Sequence, residues 1–462
     1  MSGRNDLVKG LGIYGATSVV AGTMIGTAIF VVPGIMVQHV GSPWRVMFVW
    51  IFAGILTLFG ALGYAELGAA LPEAGGEYVY LHRAYGPLAG FLYGWTQFFV
   101  AKTGSIAAIA TGFMIYLGFF FPRLNNVLYE THPAGLTLRL TGLQLGAAAL
   151  ILLLSALNVL GVRRSGTVQT IFTASKLGVL ALLVVLGLGL GRGSFGHFQM
   201  AVHSRAETGM ISAFGLATVS ALWAYDGWNN LSMVAGEVEA PQRNMPRALI
   251  LGSLLVIVVY ALTNFAYFYL LSPAEVAGTG TVAADAARRI LGAAGGAFVA
   301  VGVMVSSFAT LNGSILAGSR IPFAQARDGL FPQALAGVHP RFHTPAVAIA
   351  AQAVVAGALA LSGQYEALFT KVIFSEWLFY ALVTVGVFVL RRRRPDLPRP
   401  YRTWGFPLVP GVFVILAGLL LTNTFFERRS DSLWGLVLMA TGVPAYYLWK
   451  LWRRKKGPQP GW

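Results

Sequence analysis

Long apolar segments constrain the fold of this chain more than any other feature of its sequence. A helix needs about 20 mainly apolar residues to cross a hydrocarbon core roughly 30 Å thick. Several runs in the 462 residues meet that requirement. We therefore predict an all-α polytopic membrane protein with twelve transmembrane helices, at residues 11–38, 44–71, 88–119, 141–160, 166–190, 209–239, 247–270, 296–325, 345–361, 367–390, 407–425 and 433–450.

The composition excludes a soluble globular domain. The chain is 56% hydrophobic and 11% charged, whereas soluble domains carry about 25% charged residues. The sequence contains no cysteine, so disulfides and thiolate metal sites are excluded. We also find no phosphate-binding glycine loop and no nucleophile motif, and we expect neither a cofactor nor a metal nor an enzymatic activity.

The net charge of +16 has a distribution typical of membrane topology. With both termini in the cytoplasm, most lysines and arginines fall in cytoplasmic segments, including Arg163, Arg164, the run Arg391 to Arg394 and the tail Arg453 to Lys456. Cytoplasmic loops carry such an excess of positive charge. We expect a multi-pass protein of the cell inner (plasma) membrane with cytoplasmic termini, bound to lipid and to no nucleic acid.

The twelve predicted spans form an internal repeat within a single domain, residues 1–462. Residues 11–190 hold five spans and residues 209–390 hold five more, while residues 407–450 add two at the end. With five spans per half, the second half enters the membrane from the opposite side, so the repeat is inverted. Secondary transporters are commonly built this way, with interrupted helices around a site at the midplane.

The first span of each half contains residues that interrupt a helix. Span one has Gly22 and Gly26 at mid-membrane, with Pro33 close behind. Span six contains the run Trp223 to Asn230, which includes Asp226, a glycine and two asparagines. Irregular backbone at this depth is tolerated only where it lines a cavity or is buried in protein. Close helix packing through small residues is the alternative explanation for the glycines.

Such breaks would suit a zwitterion. Where span one resumes after Gly26, the free amides of Thr27, Ala28 and Ile29 form a helix N-terminus that favours a carboxylate. Free carbonyls near Met24 and Trp223, where the preceding half-helices end, favour an ammonium group. Backbone groups alone would thus form a site for an α-amino acid.

Several motifs in order resemble one transporter family. They are Gly22 to Pro33, Tyr64-Ala65-Glu66-Leu67-Gly68, Gly75-Gly76-Glu77-Tyr78, Phe172 to Leu177, Trp223 to Asn229, and Leu311 to Ser314 followed by Ser319 and Arg320. Together they resemble the L-type amino acid transporter family of the amino acid–polyamine–organocation superfamily. The resemblance implies a five-plus-five inverted-repeat fold with helices one and six unwound, sodium-independent transport, and exchange of L-amino acids.

The resemblance also assigns roles by position. It implies carboxylate-binding amides at Thr27 and Ala28, ammonium-binding carbonyls at Met24, Trp223 and Asp226, and an aromatic cap at Trp223. Ala28 stands where many relatives have glycine. In eukaryotic relatives a loop cysteine joins a heavy-chain partner. Because this chain has no cysteine, we expect a carrier that works alone, as a monomer or weak oligomer.

Lys176 in span five is a charged residue at membrane depth. Such a group faces the protein interior and finds polar partners, unless it snorkels to the interface. The resemblance places Lys176 where sodium-coupled relatives bind their ion, bridging spans one, five and eight. A fixed positive charge there would make sodium unnecessary.

Two acids leave the substrate class open. Asp226 lies in the span-six break, and Glu376 lies in the middle of span ten, where the family often has asparagine. Both could accept a cationic side chain, but relatives that share the Asp226 motif also carry small neutral amino acids. Glu376 could instead be protonated, pair with Lys102 or Lys371, or take part in proton coupling.

Three functions follow from these residues. The leading prediction is a sodium-independent exchanger of small neutral or cationic L-amino acids that works by alternating access. The alternative on the same fold is a proton-coupled symporter or facilitator, with Glu376 or Lys176 titrating. A non-transporting membrane sensor is a remote third, because such a protein would normally add a soluble signalling domain.

Overall fold

The computed structural model describes residues 10–73, 75–131, 138–160, 165–204, 209–342, 344–362 and 365–455. Arg163, Arg164 and Lys456, three of the basic residues used above to predict orientation, lie outside the described residues.

The described part of the chain is built almost wholly of helices. In chain order they are α1 (Ile13–Met24), α2 (Ala28–Val40), α3 (Pro43–Ala70), α4 (Glu77–Tyr85), α5 (Pro87–Thr96), α6 (Lys102–Phe120), α7 (Gly142–Val159), α8 (Ser165–Gly189), α9 (Met210–Tyr225), α10 (Asn230–Met233), α11 (Pro241–Leu270), α12 (Pro273–Ala277), α13 (Val282–Gly318), α14 (Arg320–Arg327), α15 (Ala346–Ser362), α16 (Tyr365–Arg393), α17 (Leu408–Glu427) and α18 (Arg429–Lys455). A π-helical segment, Gln97–Ala101, joins α5 to α6.

Most of the predicted spans correspond to apolar helices. Among the described residues, eight helical stretches are long and apolar enough to cross a membrane, and the bent pair α1 and α2 makes nine. Helices α9 and α15 are apolar but shorter, and α18 covers the predicted twelfth span. The polytopic helical membrane protein is confirmed, whereas the count of twelve stays a prediction.

Helix α13 extends further towards the N-terminus than the span predicted within it. The eighth span is predicted to begin at residue 296, whereas α13 begins at Val282. The backbone of Gly292 has φ 72° and ψ −162°, so α13 is interrupted there. The segment before Gly292 is therefore a separate helical piece that precedes the span.

The expectation of an all-α chain needs a small correction. Two short strands, β1 (Val127–Thr131) and β2 (Leu138–Thr141), pair antiparallel in the connection between α6 and α7. Hydropathy predicts only a loop in this segment. β-branched and aromatic residues such as Val127 and Tyr129 favour extended backbone, and this signal was too short to stand out from the long apolar helices.

Helix packing places the interrupted helices in the centre of the molecule. Helix α11 packs along α3 and against α1, which also contacts α8, while α6 packs against α13 and α15. A buried aromatic cluster joins these layers, because the ring of Trp50 contacts Tyr225 and Tyr260 at centroid distances of 5.7 and 5.2 Å. The ends of α1 and α9 are fixed beside this cluster.

Candidate functional site

The helix of span one is broken at its centre. Helix α1 ends at Met24 and α2 begins at Ala28, with a 42° bend between them. Ile25 at the break has φ −76° and ψ 81°, outside the helical region. Three residues therefore separate the C-terminal end of α1, with its last backbone carbonyls, from the N-terminal end of α2, with its first backbone amides. We call these the carbonyl end and the amide end of the break.

The helix of span six is interrupted at the same level and packs on the first break. Helix α9 ends at Tyr225 and α10 begins at Asn230. Gly227 between them has φ 110°, and a Cβ there would lie 2.9 Å from the carbonyl oxygen of Thr23. The Thr23 hydroxyl donates to the Gly227 carbonyl at 2.8 Å. Only glycine fits this position without strain.

The carbonyl ends of the two breaks share one hydroxyl. Tyr260 Oη in α11 lies 2.8 Å from the carbonyl oxygen of Met24 and 2.9 Å from that of Ala224. The Met24 carbonyl also accepts from the Gly26 amide at 2.8 Å, and the Trp223 carbonyl accepts from the Asp226 amide at 3.3 Å. The carbonyls expected to be free therefore already accept bonds within the protein.

The amide end of the first break faces a closely packed wall. Thr27 and Ala28 are buried, at 1% and 4% exposure, as is Ile29. Within the described residues, none of their three backbone amides has an acceptor within hydrogen-bond distance, as is usual for the first turn of a helix. Gly112 of α6 lies against Thr27, since a Cβ there would be 2.7 Å from Thr27 Oγ1.

Tyr365 joins the two breaks on the side opposite Tyr260. The indole Nε1 of Trp223 donates to Tyr365 Oη at 2.9 Å, and the same oxygen lies 3.4 Å from Thr27 Oγ1. Phe369 stacks on Trp223, with ring centroids 6.0 Å apart and planes at 10°. Thr27 and Trp223, both predicted site residues, are therefore connected through one hydroxyl.

Lys176 lies behind the first break. Its Nζ donates to the Gly22 carbonyl at 3.0 Å and to Thr310 Oγ1 at 2.5 Å, and the side chain is 3% exposed. These contacts connect α8 to α1 and α13. An ammonium group in such a place is stabilised by the carbonyl and hydroxyl oxygens that surround it.

The two acids named above are each held by a neutral donor. Tyr380 Oη donates to Asp226 Oδ1 at 2.7 Å, and Gln97 Nε2 contacts both carboxylate oxygens of Glu376 at 3.0 and 3.1 Å. Neither candidate basic partner of Glu376 pairs with it. Lys371 forms an ion pair with Asp431 at 3.3 Å, and Lys102 donates to Asn230 Oδ1 at 2.8 Å.

Glu77 is a further buried acid beside the second break. It begins α4, outside the spans, and the Asn229 side-chain amide donates to its Oε1 at 2.6 Å. Complete burial raises the pKa of Glu77 to about 7, although its hydrogen bond to Asn229 and the charge of Lys102 act in the opposite direction. The sequence motif contained Glu77, but nothing in it indicated this contact with Asn229.

Comparison with known proteins decides the family. The profile of the family described as amino acid permease matches residues 11–447. The chain belongs to the amino acid permease family. As a permease it moves amino acids across a membrane and is not an enzyme, and the predicted relationship to L-type amino acid transporters is confirmed by the relatives below.

Several curated relatives match this permease over nearly its whole length. It is 35% identical over 451 residues to the serine/threonine exchanger SteT of Bacillus subtilis (strain 168), covering 96% of this chain and 97% of the relative. It is 33% identical to the Asc-type amino acid transporter 1 of Mus musculus, covering 98% and 83% of the two chains. It is 34% identical to the large neutral amino acids transporter small subunit 2 of the same species, covering 97% and 82%.

Sequence reasoning missed the tyrosines of the site. Tyr260, Tyr365 and Tyr380 are buried in apolar helices and contact backbone or side chains far away in the sequence. A buried tyrosine hydroxyl usually finds a partner, and this was the available signal. A buried tyrosine in the sequence indicates that its hydroxyl has a hydrogen-bond partner, but it does not indicate which residue that partner is.

Proposed function

We propose that this permease exchanges L-amino acids by alternating access, without sodium, at a site between the α1–α2 and α9–α10 breaks. The contact of Tyr365 with Thr27 and Trp223 carries the proposal, because it brings an amide end, an aromatic ring and both breaks to one place. The five-plus-five inverted repeat, with spans one and six interrupted, is the architecture that we propose for the movement.

The backbone geometry supports a specific orientation of the substrate. The amides of Thr27, Ala28 and Ile29, which have no acceptor among the described residues, would bind the carboxylate, since a helix N-terminus favours an anion. The carbonyls of Met24, Trp223 and Asp226 would bind the ammonium group. Tyr260 Oη now occupies a position between the Met24 and Ala224 carbonyls, so substrate binding would require it to shift or to share these acceptors.

The position of Lys176 supports sodium independence. Its ammonium group contacts a carbonyl of α1 and a hydroxyl of α13, which are oxygen ligands of the type that a hard metal cation uses. A tethered cation that occupies such a place supplies the same charge in every state of the cycle. Binding of a free cation would therefore not be needed to assemble the site.

Small neutral amino acids are the substrates that we propose first. The carboxylates of Asp226 and Glu376 are already hydrogen-bonded to Tyr380 and Gln97, so neither is free to accept a cationic side chain. The relatives named for serine/threonine exchange and for large neutral amino acids agree with a neutral substrate. Cationic amino acids are the second candidate, because Asp226 follows directly on the end of α9.

The arrangement in the cell is also a proposal. We place both termini in the cytoplasm and the protein in the cell inner membrane, as the distribution of basic residues indicates. One of the relatives is named a small subunit. Since these 462 residues contain no cysteine, we propose that this permease works without a disulfide-linked partner.

Substrate competition in proteoliposomes tests the proposed site and substrate class. Vesicles loaded with serine take up external radiolabelled serine while each unlabelled amino acid is tested as competitor. We expect small neutral amino acids to compete and lysine and arginine to compete weakly. Strong competition by the cationic pair alone would contradict the neutral assignment and favour the second candidate.

A further inference from the structure

Three acids and one amine form a charge cluster next to the second break. The cluster consists of Glu77, Lys102, Asp226 and Glu376; Glu77, Lys102 and Glu376 are 0%, 6% and 3% exposed, and Asp226 is half-buried. If all four were ionised, the cluster would hold two uncompensated negative charges within the protein. A charge buried in a protein is costly unless it is paired and hydrogen-bonded.

No acid of the cluster has a cation in contact within the described residues. Glu77 accepts from Asn229, Asp226 from Tyr380, and Glu376 from Gln97, and Lys102 donates to the amide oxygen of Asn230. Neutral donors stabilise a carboxylate less than a charged partner does. The excess negative charge therefore needs either bound protons or another cation.

Glu376 is at the centre of this imbalance. The groups that interact with it electrostatically or by hydrogen bonding are Tyr64 of α3, Glu77 of α4, Tyr93 of α5, Gln97 of the π-helical segment, Lys102 of α6, Asp226 after α9, and Tyr380 on its own helix. On the side of α17 the next residue, Trp377, packs on Phe413, and on the side of α18 Asp431 is paired with Lys371. Two acids and one base thus act on Glu376.

Buried polar atoms without partners occur beside the same cluster. Among the described residues, Tyr64 Oη and Gln97 Oε1 are buried and have no hydrogen-bond partner. Buried polar groups nearly always find one. Gln97 Oε1 belongs to the amide that contacts Glu376, so a protonated Glu376 could donate to it after a rotation of that amide.

We propose that Glu376 binds a proton, and that the exchange cycle proceeds with this proton in place. This inference rests on the proposed exchange function and adds a second ligand, a proton, at a separate group. The proton enters from water as the carboxylate becomes a carboxylic acid, and it leaves to water when the acid ionises. With a proton on Glu376, the net charge of the cluster is less negative by one unit, and Lys102 compensates one of the other two acids.

A proton fits the position better than a cationic side chain does. Both oxygens of Glu376 contact the Gln97 amide, and the residue is 3% exposed. An ammonium or guanidinium group would have to displace that amide, whereas a proton needs no additional space.

Glu376 is connected to the second break through Tyr380 of its own helix, and it contacts the π-helical segment through Gln97. Tyr380 lies one helical turn after Glu376 in α16 and donates to Asp226 at the end of α9. Gln97 begins the π-helical segment, and π-helical turns inside α-helices are frequent at functional sites. The charge on Glu376 can therefore influence both the second break and the helix opposite it.

The test is the pH dependence of exchange in proteoliposomes, with the same pH inside and outside and serine on both sides. We expect wild-type exchange to fall as the pH rises between about 5 and 9, by at most about tenfold per pH unit, the limit for one titrating group. Because Glu77 has a pKa of about 7, the variant is made in a Glu77→Gln background, where Glu376→Gln keeps the shape without the charge and should exchange at a rate that is flat across this range. Glu275→Gln, at an exposed Arg289 ion pair, should keep the wild-type profile, and Glu376→Asp should restore a pH dependence.

Each outcome bears on the proposal. A flat wild-type profile overturns it even if a variant does not fold, and so does a Glu376→Gln variant in the Glu77→Gln background that still declines with pH. If lysine and arginine lost their ability to compete in Glu376→Gln while the pH profile was retained, Glu376 would be assigned to substrate binding. That result would also overturn the proposal. Equal uptake by loaded and empty vesicles would contradict exchange, yet the pH profile of that uptake would still test Glu376.

Discussion

The ammonium nitrogen of Lys176 lies 3.0 Å from the carbonyl oxygen of Gly22, in the last turn of α1 before its break. The same nitrogen contacts Thr310 in α13. One buried amine therefore holds three helices together at the place where the proposed substrate site begins. Its charge is available whether or not any ion is present in the medium.

Lys176→Met should abolish most of the exchange activity. Methionine has a similar length but offers no donor, so the Gly22 carbonyl and the Thr310 hydroxyl lose their shared partner. A lost hydrogen bond to a charged group corresponds to about 1.5–3 kcal/mol, so we expect exchange to fall by roughly tenfold or more. The measurement is serine exchange in proteoliposomes at matched protein content.

Lys371→Met is the matched control for this variant. Lys371 is also a lysine in an apolar helix, but it is one-third exposed and pairs with Asp431. We expect near wild-type exchange from it. A Lys176→Met protein that exchanges as fast as the control would show that the amine is not required.

Tyr365→Phe should weaken substrate binding. The change leaves the buried indole N–H of Trp223 without its acceptor and removes the link to Thr27. An unsatisfied buried donor costs about 1–3 kcal/mol, so we expect the apparent KM for exchange to rise by roughly tenfold. Tyr447→Phe, at an exposed tyrosine of α18, is the control, and an unchanged KM in Tyr365→Phe would argue against the proposed site.

Gly227→Ala should destabilise the protein and impair exchange together. The backbone φ of 110° is unfavourable for alanine, and the new Cβ would meet the Thr23 carbonyl at 2.9 Å. Backbone strain of this kind costs roughly 1–3 kcal/mol. Thermal unfolding in detergent measures the change, and Gly357→Ala, where a Cβ meets nothing within 4 Å, should leave the Tm nearly unchanged. Equal Tm values for the two variants would contradict close contact between the breaks.

Glu77→Gln should make the stability less dependent on pH. Burial raises the pKa of Glu77 to about 7, so the folded protein keeps a proton that the unfolded chain has already lost. The stabilisation from this group is therefore present at low pH and is lost as the pH rises from about 4.5 through about 7. We expect the Tm to fall less steeply over this range in Glu77→Gln than in the exposed control Glu73→Gln, and equal slopes would disprove the assignment.

Hydropathy predicted the helical membrane fold because a bilayer imposes a length on each helix that the sequence must satisfy. The predicted second span, residues 44–71, differs by one residue at each end from α3. The predicted eighth span begins four residues after Gly292, where the backbone of α13 is interrupted, but hydropathy did not indicate the helical segment before that glycine. The length of a membrane helix can be read from a long apolar run, whereas a break in the helix depends on the backbone angles of one residue.

The site was only partly predictable for a related reason. Glycines and polar residues at membrane depth indicated where the helices would be interrupted, as Gly26 and Asp226 show. The contacts across the site could not be predicted, because Tyr365 reaches Thr27 from 338 residues away and Gln97 reaches Glu376 from 279 residues away. Such partners depend on how the helices pack, and pairing by charge type alone suggested Lys102 or Lys371 for Glu376.

Counterflow without sodium tests the central claim most directly. Proteoliposomes with and without internal serine are given external radiolabelled serine in sodium-free buffer, and the assay is repeated after sodium is added. The account predicts rapid uptake into loaded vesicles, little uptake into empty ones, and no effect of sodium on either. Uptake that depends on sodium, or that proceeds equally into empty vesicles, would contradict sodium-independent exchange.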